Sequence, residues 1–413
     1  MGRLTLLVVV CIGGGGWACR DRARAVQSAA ALLDLVRQLE NQAEQITGLR
    51  FKHAIDVRLR TRDQVRDYVT HKFDEDLPPA ELAGAEAAYK LFGLIADSLD
   101  LRRTMIALLT EQVAGFYDPD SNALFITNDQ SERSQVRMVV SHELVHALQD
   151  QYLPLDSLMN QRRQNDRAIA AQAVLEGQAT FYSIPILMPE QHPETLPDHW
   201  FWRQREVLAQ QQAAMPEFSG ASLWLRERMV FPYLSGADFI GWYVRTHHGQ
   251  EPYGAAMPVS TEQILHPDRY ATGDEPVSLA FPATAPDVVR YEDDLGEFEI
   301  GLLFAQLMGD ADDAKGSVYA NGWGGDRYQV YGSAKGPLAL VWYTVWDTPG
   351  ARDRFVRGLI RGWAGRYGRN GARRGRRSTI EAVTVDGLPG ARLVDAPVDW
   401  KGWRALPEVK VVH

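Results

Sequence analysis

The stretch Ser141-His142-Glu143-Leu144-Val145-His146-Ala147-Leu148-Gln149 constrains this chain more than any other. It sets two histidines four residues apart in a helix-prone run. Positions four apart share one face of a helix, so both imidazoles can reach a single cation. Glu143 stands about 100° round the helix from His142, which places its carboxylate beside the metal rather than on it. A zinc ion held by two neutral imidazoles and one further protein ligand keeps a position open for water. The metal acidifies that water, and Glu143 can accept its proton. Histidine is scarce, 10 in 413 residues, so composition alone gives little reason for this spacing. The bland alternative is a helix carrying two surface histidines and a chance glutamate.

Two histidines do not complete a zinc site. Acidic and histidine candidates downstream are Asp150, Asp156, Asp166, Glu176, Glu190 and His192. Residues 168–182 read as a second helix, small and apolar, in which Glu176 is the only acidic residue. A carboxylate buried there needs a partner, because an unpaired buried charge is costly. Ala173, Gly177 and Ala179 would let this helix approach another closely. Glu176 is therefore favoured as the third ligand, against the alternative of a glutamate exposed on a surface helix.

Before the motif, residues 113–127 contain two short apolar runs around Asp118-Pro119-Asp120-Ser121-Asn122, which is dense in turn formers. This predicts a β-hairpin whose edge strand could pair with an extended peptide.

Here the residues resemble a known family. His142-Glu143-x-x-His146, followed by Leu175-Glu176-Gly177-x-Ala179, resembles the gluzincin metallopeptidases, and in particular small exported bacterial ones. The segment Gly115-Phe-Tyr-Asp-Pro119 is similar to the same group, with weaker likeness in Ser260 to Pro267 and in Trp323 to Arg327. The resemblance implies a mainly helical zincin-like core of α+β class, with a small sheet and edge hairpin. It implies Zn2+ on His142, His146 and Glu176, Glu143 as the catalytic base, and a peptide or protein substrate. The chain departs from thermolysin in lacking its Asn-Glu-x-x-Ser-Asp phrase, since position 179 is Ala. The partner that fixes the imidazole tautomers is thus not named by the resemblance.

Composition narrows the alternatives. The net charge of −9 argues against general nucleic-acid binding. Both cysteines, Cys11 and Cys19, lie near the N-terminus, so the body can form neither a disulfide nor a cysteine metal site. Arg3, the apolar run 4–12 and Gly16-Trp17-Ala18 read as an export signal, and Cys19 resembles a lipoprotein attachment cysteine. The expected location is periplasmic, cell-envelope or extracellular, with a lipid anchor through Cys19 or free secretion. We divide the chain into a signal (1–25), a metallopeptidase domain (26–270) and a C-terminal α+β lobe (271–413).

Elsewhere the periodicity predicts helices over 26–45, from Thr61 to about Lys72, from Pro79, over 198–215, 231–244, 296–308 and 349–363. The helix at 231–244 is expected under the motif helix. Strands are expected at 51–60, 288–291, 327–331, 338–346, 380–385 and 391–394, a loop at 185–197 and a turn at 322–325. An oxyanion-steadying residue is sought among Tyr233, Tyr243, His247, His248, His266 and Tyr270. Ten arginines between Ala351 and Arg377 read as a solvated face or an anionic contact. Two readings compete with an enzyme: a non-catalytic zincin-fold binding or surface protein, and a structural metal site in an envelope assembly protein.

Overall fold

The computed structural model describes residues 29–128, 133–159, 161–283, 285–309, 314–333, 336–366 and 375–412. The export signal and Cys19 lie outside the described residues. The fold is α+β, 56% helical and 17% strand, so helices supply most of the scaffold. Strands form a three-stranded sheet, a two-stranded ribbon and a five-stranded sheet. No described helix is long and apolar enough to cross a membrane.

The helix Ala29–Thr47 buries Leu32, Leu35, Val36, Leu39 and Ala43, a single stripe at helical spacing. That stripe packs in one cluster with Val140, Leu144 and Leu148 of the motif helix, Arg133–Tyr152. Strand Asp56–Arg60 runs parallel to Ala123–Thr127, which pairs antiparallel with Gly115–Asp118. The expected hairpin therefore forms, and Gly115–Asp118 is an edge of its sheet. Thr61 and Gln64 make a reciprocal capping box at the start of Arg62–Asp76. Asp100 caps Leu101–Gln112.

The third ligand candidate rides on the helix Asn165–Leu187, which packs chiefly against Leu223–Thr246. Two glycines set that contact. A Cβ on Gly236 would stand 2.0 Å from the carbonyl oxygen of Ala173, and one on Gly177 would stand 2.2 Å from the carbonyl carbon of Gly236. The helix expected under the motif helix thus lies mainly on the glutamate helix instead, because the glycine pair admits it there. The expected loop at Pro185 is also corrected: the helix runs through Pro185 to Leu187, with Phe181, Pro185 and Ile186 buried. Residues 198–215 break into Trp200–Arg203 and Arg205–Gln212. The first begins where Asp238 accepts the N–H groups of Phe201 and Trp202, both at 3.0 Å.

The five-stranded sheet is antiparallel throughout, in the order Val289–Asp293, Trp323–Tyr331, Ala339–Trp346, Leu388–Pro397, Arg376–Val385. Of the expected turn at 322–325, Gly322 does lie in a turn, while Trp323 to Gly325 instead begin a strand with a bulge between Trp323 and Gly325. The reason is close approach: a Cβ on Gly325 would stand 2.4 Å from the Val277 carbonyl oxygen. Helices Gly296–Met308 and Pro349–Arg366 pack with this sheet. The largest hydrophobic cluster draws on both sides of residue 270, with Phe231 stacked on Phe298 at 4.0 Å and Phe92 edge-on to Trp342 at 5.1 Å.

Buried carboxylates lock the start of the glutamate helix. The N–H of Asn165 donates to Asp293 at 3.0 Å, and that of Asp166 to Asp294 at 2.7 Å. Asp166 in turn accepts from the Thr261 N–H at 3.1 Å and from its hydroxyl. Asp326 accepts the N–H groups of Leu295 and Gly296 and the indoles of Trp323 and Trp342. Carboxylates belong at helix N-termini, where unpaired N–H groups and the dipole favour negative charge. Thr261 of segment 260–267 thereby fixes the start of the helix that carries Glu176, and Asp326 of segment 323–327 fixes the start of Gly296–Met308.

Glu262, next to Thr261 in sequence, is 2% exposed. Burial, and then the Glu297 charge, push its pKa up to about 9, against the opposing pull of Arg269. Its folded-state pKa lies above its unfolded value, so between about 4.5 and 9 the folded state binds more protons. Stability from this group is present at low pH and lost as pH rises through that window. Glu262→Gln should therefore raise stability at pH 9 by about 1 kcal/mol or more and change little at pH 4. Urea titrations at both pH values check it, and an equal effect at the two would exclude the titration of Glu262 as its source.

Candidate metal centre

The motif helix and the glutamate helix cross so that three side chains converge. His142 Nε2 and His146 Nε2 lie 3.0 Å apart. Glu176 Oε2 lies 3.1 Å from the first and 3.3 Å from the second. For metal–ligand distances of about 2.0–2.1 Å, adjacent corners of a zinc tetrahedron are about 3.3 Å apart. The triangle thus has the size of one tetrahedral face. Among the described residues no fourth His, Cys, Asp or Glu joins it.

The site is deeply buried: His146, Glu143 and Glu176 are 0% exposed and His142 is 5% exposed. Burial pulls the His142 pKa down, and the Glu176 contact only partly offsets this, so its neutral, ligating form is favoured. Burial alone would raise Glu176, but the two imidazoles outweigh it and hold the carboxyl below its usual range. Two carboxylate oxygens, Glu176 Oε1 and Glu143 Oε1, are buried without a hydrogen-bond partner. Such orphans cost about 1–3 kcal/mol each. Two imidazole nitrogens, one carboxylate and unmet acceptor capacity fit a divalent transition-metal ion.

Glu143 stays outside the triangle, as its helical angle requires. Its Oε2 accepts the Tyr117 N–H at 2.7 Å. Tyr117 sits on the edge strand, and its hydroxyl donates to Asp150 at 2.9 Å, so hairpin and motif helix are joined at two points. Burial first, and the Glu176 charge second, push the Glu143 pKa well above its usual value, while the Tyr117 N–H opposes them. The hairpin thus holds the carboxylate whose other oxygen remains an open acceptor.

The other ligand candidates go elsewhere. Asp150 accepts from Tyr117, Asp166 from Thr261, and His192 pairs with Glu194 at 3.2 Å. Glu190 is exposed, and the side chain of Asp156 is outside the described residues. Of the six aromatic and histidine candidates for an oxyanion donor, Tyr233 stacks on the His142 ring with centroids 5.9 Å apart. Tyr243, His247 and Tyr270 cluster with one another, His266 pairs with Glu297 at 3.0 Å, and His248 is exposed. A cavity of about 760 Å³ lies beside Trp202, Phe239, Trp242 and His266, and none of the four site residues lines it.

Sequence reasoning missed Gln149. Its Oε1 lies 2.8 Å from His146 Nδ1, and its Nε2 donates to Leu175 O at 3.0 Å. A position three residues beyond His146 on the same helix was the available signal. It also missed the Tyr117 N–H, which no side-chain pattern reveals.

A family model described only as a domain of unknown function, DUF8575, matches residues 287–396, which span most of the five-stranded sheet and exclude the histidine–glutamate cluster. No curated protein and no solved structure matches the chain.

Proposed function

We propose that this chain is a zinc-dependent peptidase that hydrolyses peptide bonds, with His142, His146 and Glu176 holding the metal and Glu143 as general base. The observation that carries the reading is a three-donor cluster with Glu143 anchored beside it by one oxygen and open at the other. Zinc bound there would polarise the scissile carbonyl and make a water acidic enough to lose a proton near neutral pH. Glu143 Oε1 would accept a proton from the attacking water and return it to the leaving amine. The Tyr117 N–H holds Oε2 and keeps Oε1 aimed. The edge position of Gly115–Asp118 supports a role in aligning an extended peptide.

The test is metal content with activity on a peptide library, with and without chelator. About one zinc per chain is expected, lost in Glu176→Ala. Unchanged zinc in that variant would exclude Glu176 as a ligand. Zinc should also stabilise the fold, by about 2.7 kcal/mol at a free concentration of 100 times Kd. Chelator-insensitive unfolding would count against any folded-state metal site.

The burial of all four side chains favours a second reading, a structural metal centre in a protein that cleaves nothing. Structural zinc usually has four protein ligands, whereas this cluster offers three. Zinc binding without cleavage of any peptide would favour this second reading.

A further inference from the structure

We propose that Gln149, Gln178 and Glu251 form a relay of positioning residues that fixes the tautomer of His146. The proposal deepens the metal-site reading above and rests on it for its consequence. Glu251 lies in the loop after the helix Leu223–Thr246, far from the motif in sequence. Its Oε2 accepts from Gln178 Nε2, 2.5 Å away, and its Oε1 from the Tyr182 hydroxyl at 3.3 Å. Gln178 Oε1 accepts from Gln149 Nε2 at 2.8 Å and from the Tyr253 hydroxyl. Gln149 Oε1 faces His146 Nδ1 at 2.8 Å.

The direction of every bond follows from the far end. Burial pushes the Glu251 carboxyl up to about 7, and above that pH it is ionised and only accepts, so Gln178 presents its NH2 group to Glu251. Its carbonyl oxygen is then turned to Gln149, which must answer with its own NH2. That leaves the Gln149 oxygen against the imidazole, where it can only accept. Nδ1 therefore carries the hydrogen, and Nε2 offers its lone pair to the triangle. The Leu175 carbonyl, also only an acceptor, fixes the Gln149 amide the same way. Metal-bound histidines commonly hand their other N–H directly to a carboxylate or carbonyl. Here two amides extend that link to a carboxylate in a different segment. The relay also crosses the glutamate helix, since Leu175 and Gln178 flank Glu176.

Nitrogen NMR of the full metal-free chain reads the tautomer directly, and chelator competition reads zinc affinity. In the wild type, His146 should be protonated on Nδ1. Gln149→Leu should give mixed tautomers and weaken zinc binding by roughly 10- to 100-fold. Glu251→Ala should do the same at the low end, about 10-fold, with the Leu175 carbonyl still holding Gln149. Glu251→Gln, which can still accept from Gln178, should restore most of the wild-type affinity. A merely structural Glu251 would lower thermal stability in Glu251→Ala and leave tautomer and affinity unchanged, which overturns the proposal. Equal loss in Glu251→Gln and Glu251→Ala overturns the orienting role as well. If the wild type takes up no zinc, the peptidase reading fails, while the metal-free tautomer still decides the relay; wild-type His146 protonated on Nε2 refutes it. If Glu251→Ala does not fold, Gln149→Leu supplies the same two readouts.

Discussion

Glu143→Gln should leave the fold and zinc content in place and lower peptide hydrolysis by roughly 10² to 10⁴, the usual contribution of a general base. The two side chains have nearly the same volume. The glutamine carbonyl oxygen can keep accepting the Tyr117 N–H that Glu143 Oε2 now accepts at 2.7 Å. The amide NH2 then falls where Oε1 stands, so a donor replaces the acceptor that takes the proton in the proposed mechanism. Stability should hold or rise, because the substitution removes a buried carboxyl beside the Glu176 charge. His142→Ala should instead lose zinc and activity together, since it deletes a corner of the triangle. Peptide cleavage, zinc analysis and urea unfolding on both variants separate these cases. Wild-type rates in Glu143→Gln would overturn the mechanism, whatever the zinc content.

How much of this was legible in the sequence depends on the range of the interactions. The motif helix, the hairpin and the glutamate helix follow from local signals: a 3.6-residue period, turn formers at 118–122, and one acid in a small apolar run. The convergence of His142, His146 and Glu176 rests on more. It needs the crossing of two helices, and what sets that crossing, the N-terminal carboxylate network and the Gly177–Gly236 contact, lies far apart in sequence. The partner of His146 was invisible because Gln149 and Gln178 are ordinary helix residues until the helices meet. Pro185 misled for a physical reason. Proline removes a backbone donor and normally ends a helix. Here burial of Phe181, Pro185 and Ile186 carries the helix two residues further. The glycines at 322–325 looked like one turn; the turn stops at Gly322, and what carries Gly324 and Gly325 into a strand is the chain at Val277 lying against Gly325, a contact with no local signature.

The largest stability effect should come from a single methyl group at the helix crossing. In Gly236→Ala the added carbon would lie 2.0 Å from the Ala173 carbonyl oxygen and 2.8 Å from its carbonyl carbon. Both atoms are backbone, so no side chain can turn aside. The glutamate helix and Leu223–Thr246 must separate, although their contact is the main one either helix makes. Overpacking of a tight core costs about 1–3 kcal/mol where side chains yield, and a backbone obstacle puts this variant at about 3 kcal/mol or above. The same displacement moves Glu176, three residues beyond Ala173, so zinc affinity should fall with stability. Gly241→Ala is the control on the same helix. Its added carbon would come no nearer than 3.4 Å to Phe181, an ordinary contact. Replacing a helical glycine there should cost nothing and gain up to about 1 kcal/mol. Urea unfolding and zinc competition on the pair give the comparison. If both variants are equally stable and bind zinc like wild type, the glycine contact does not set the position of Glu176.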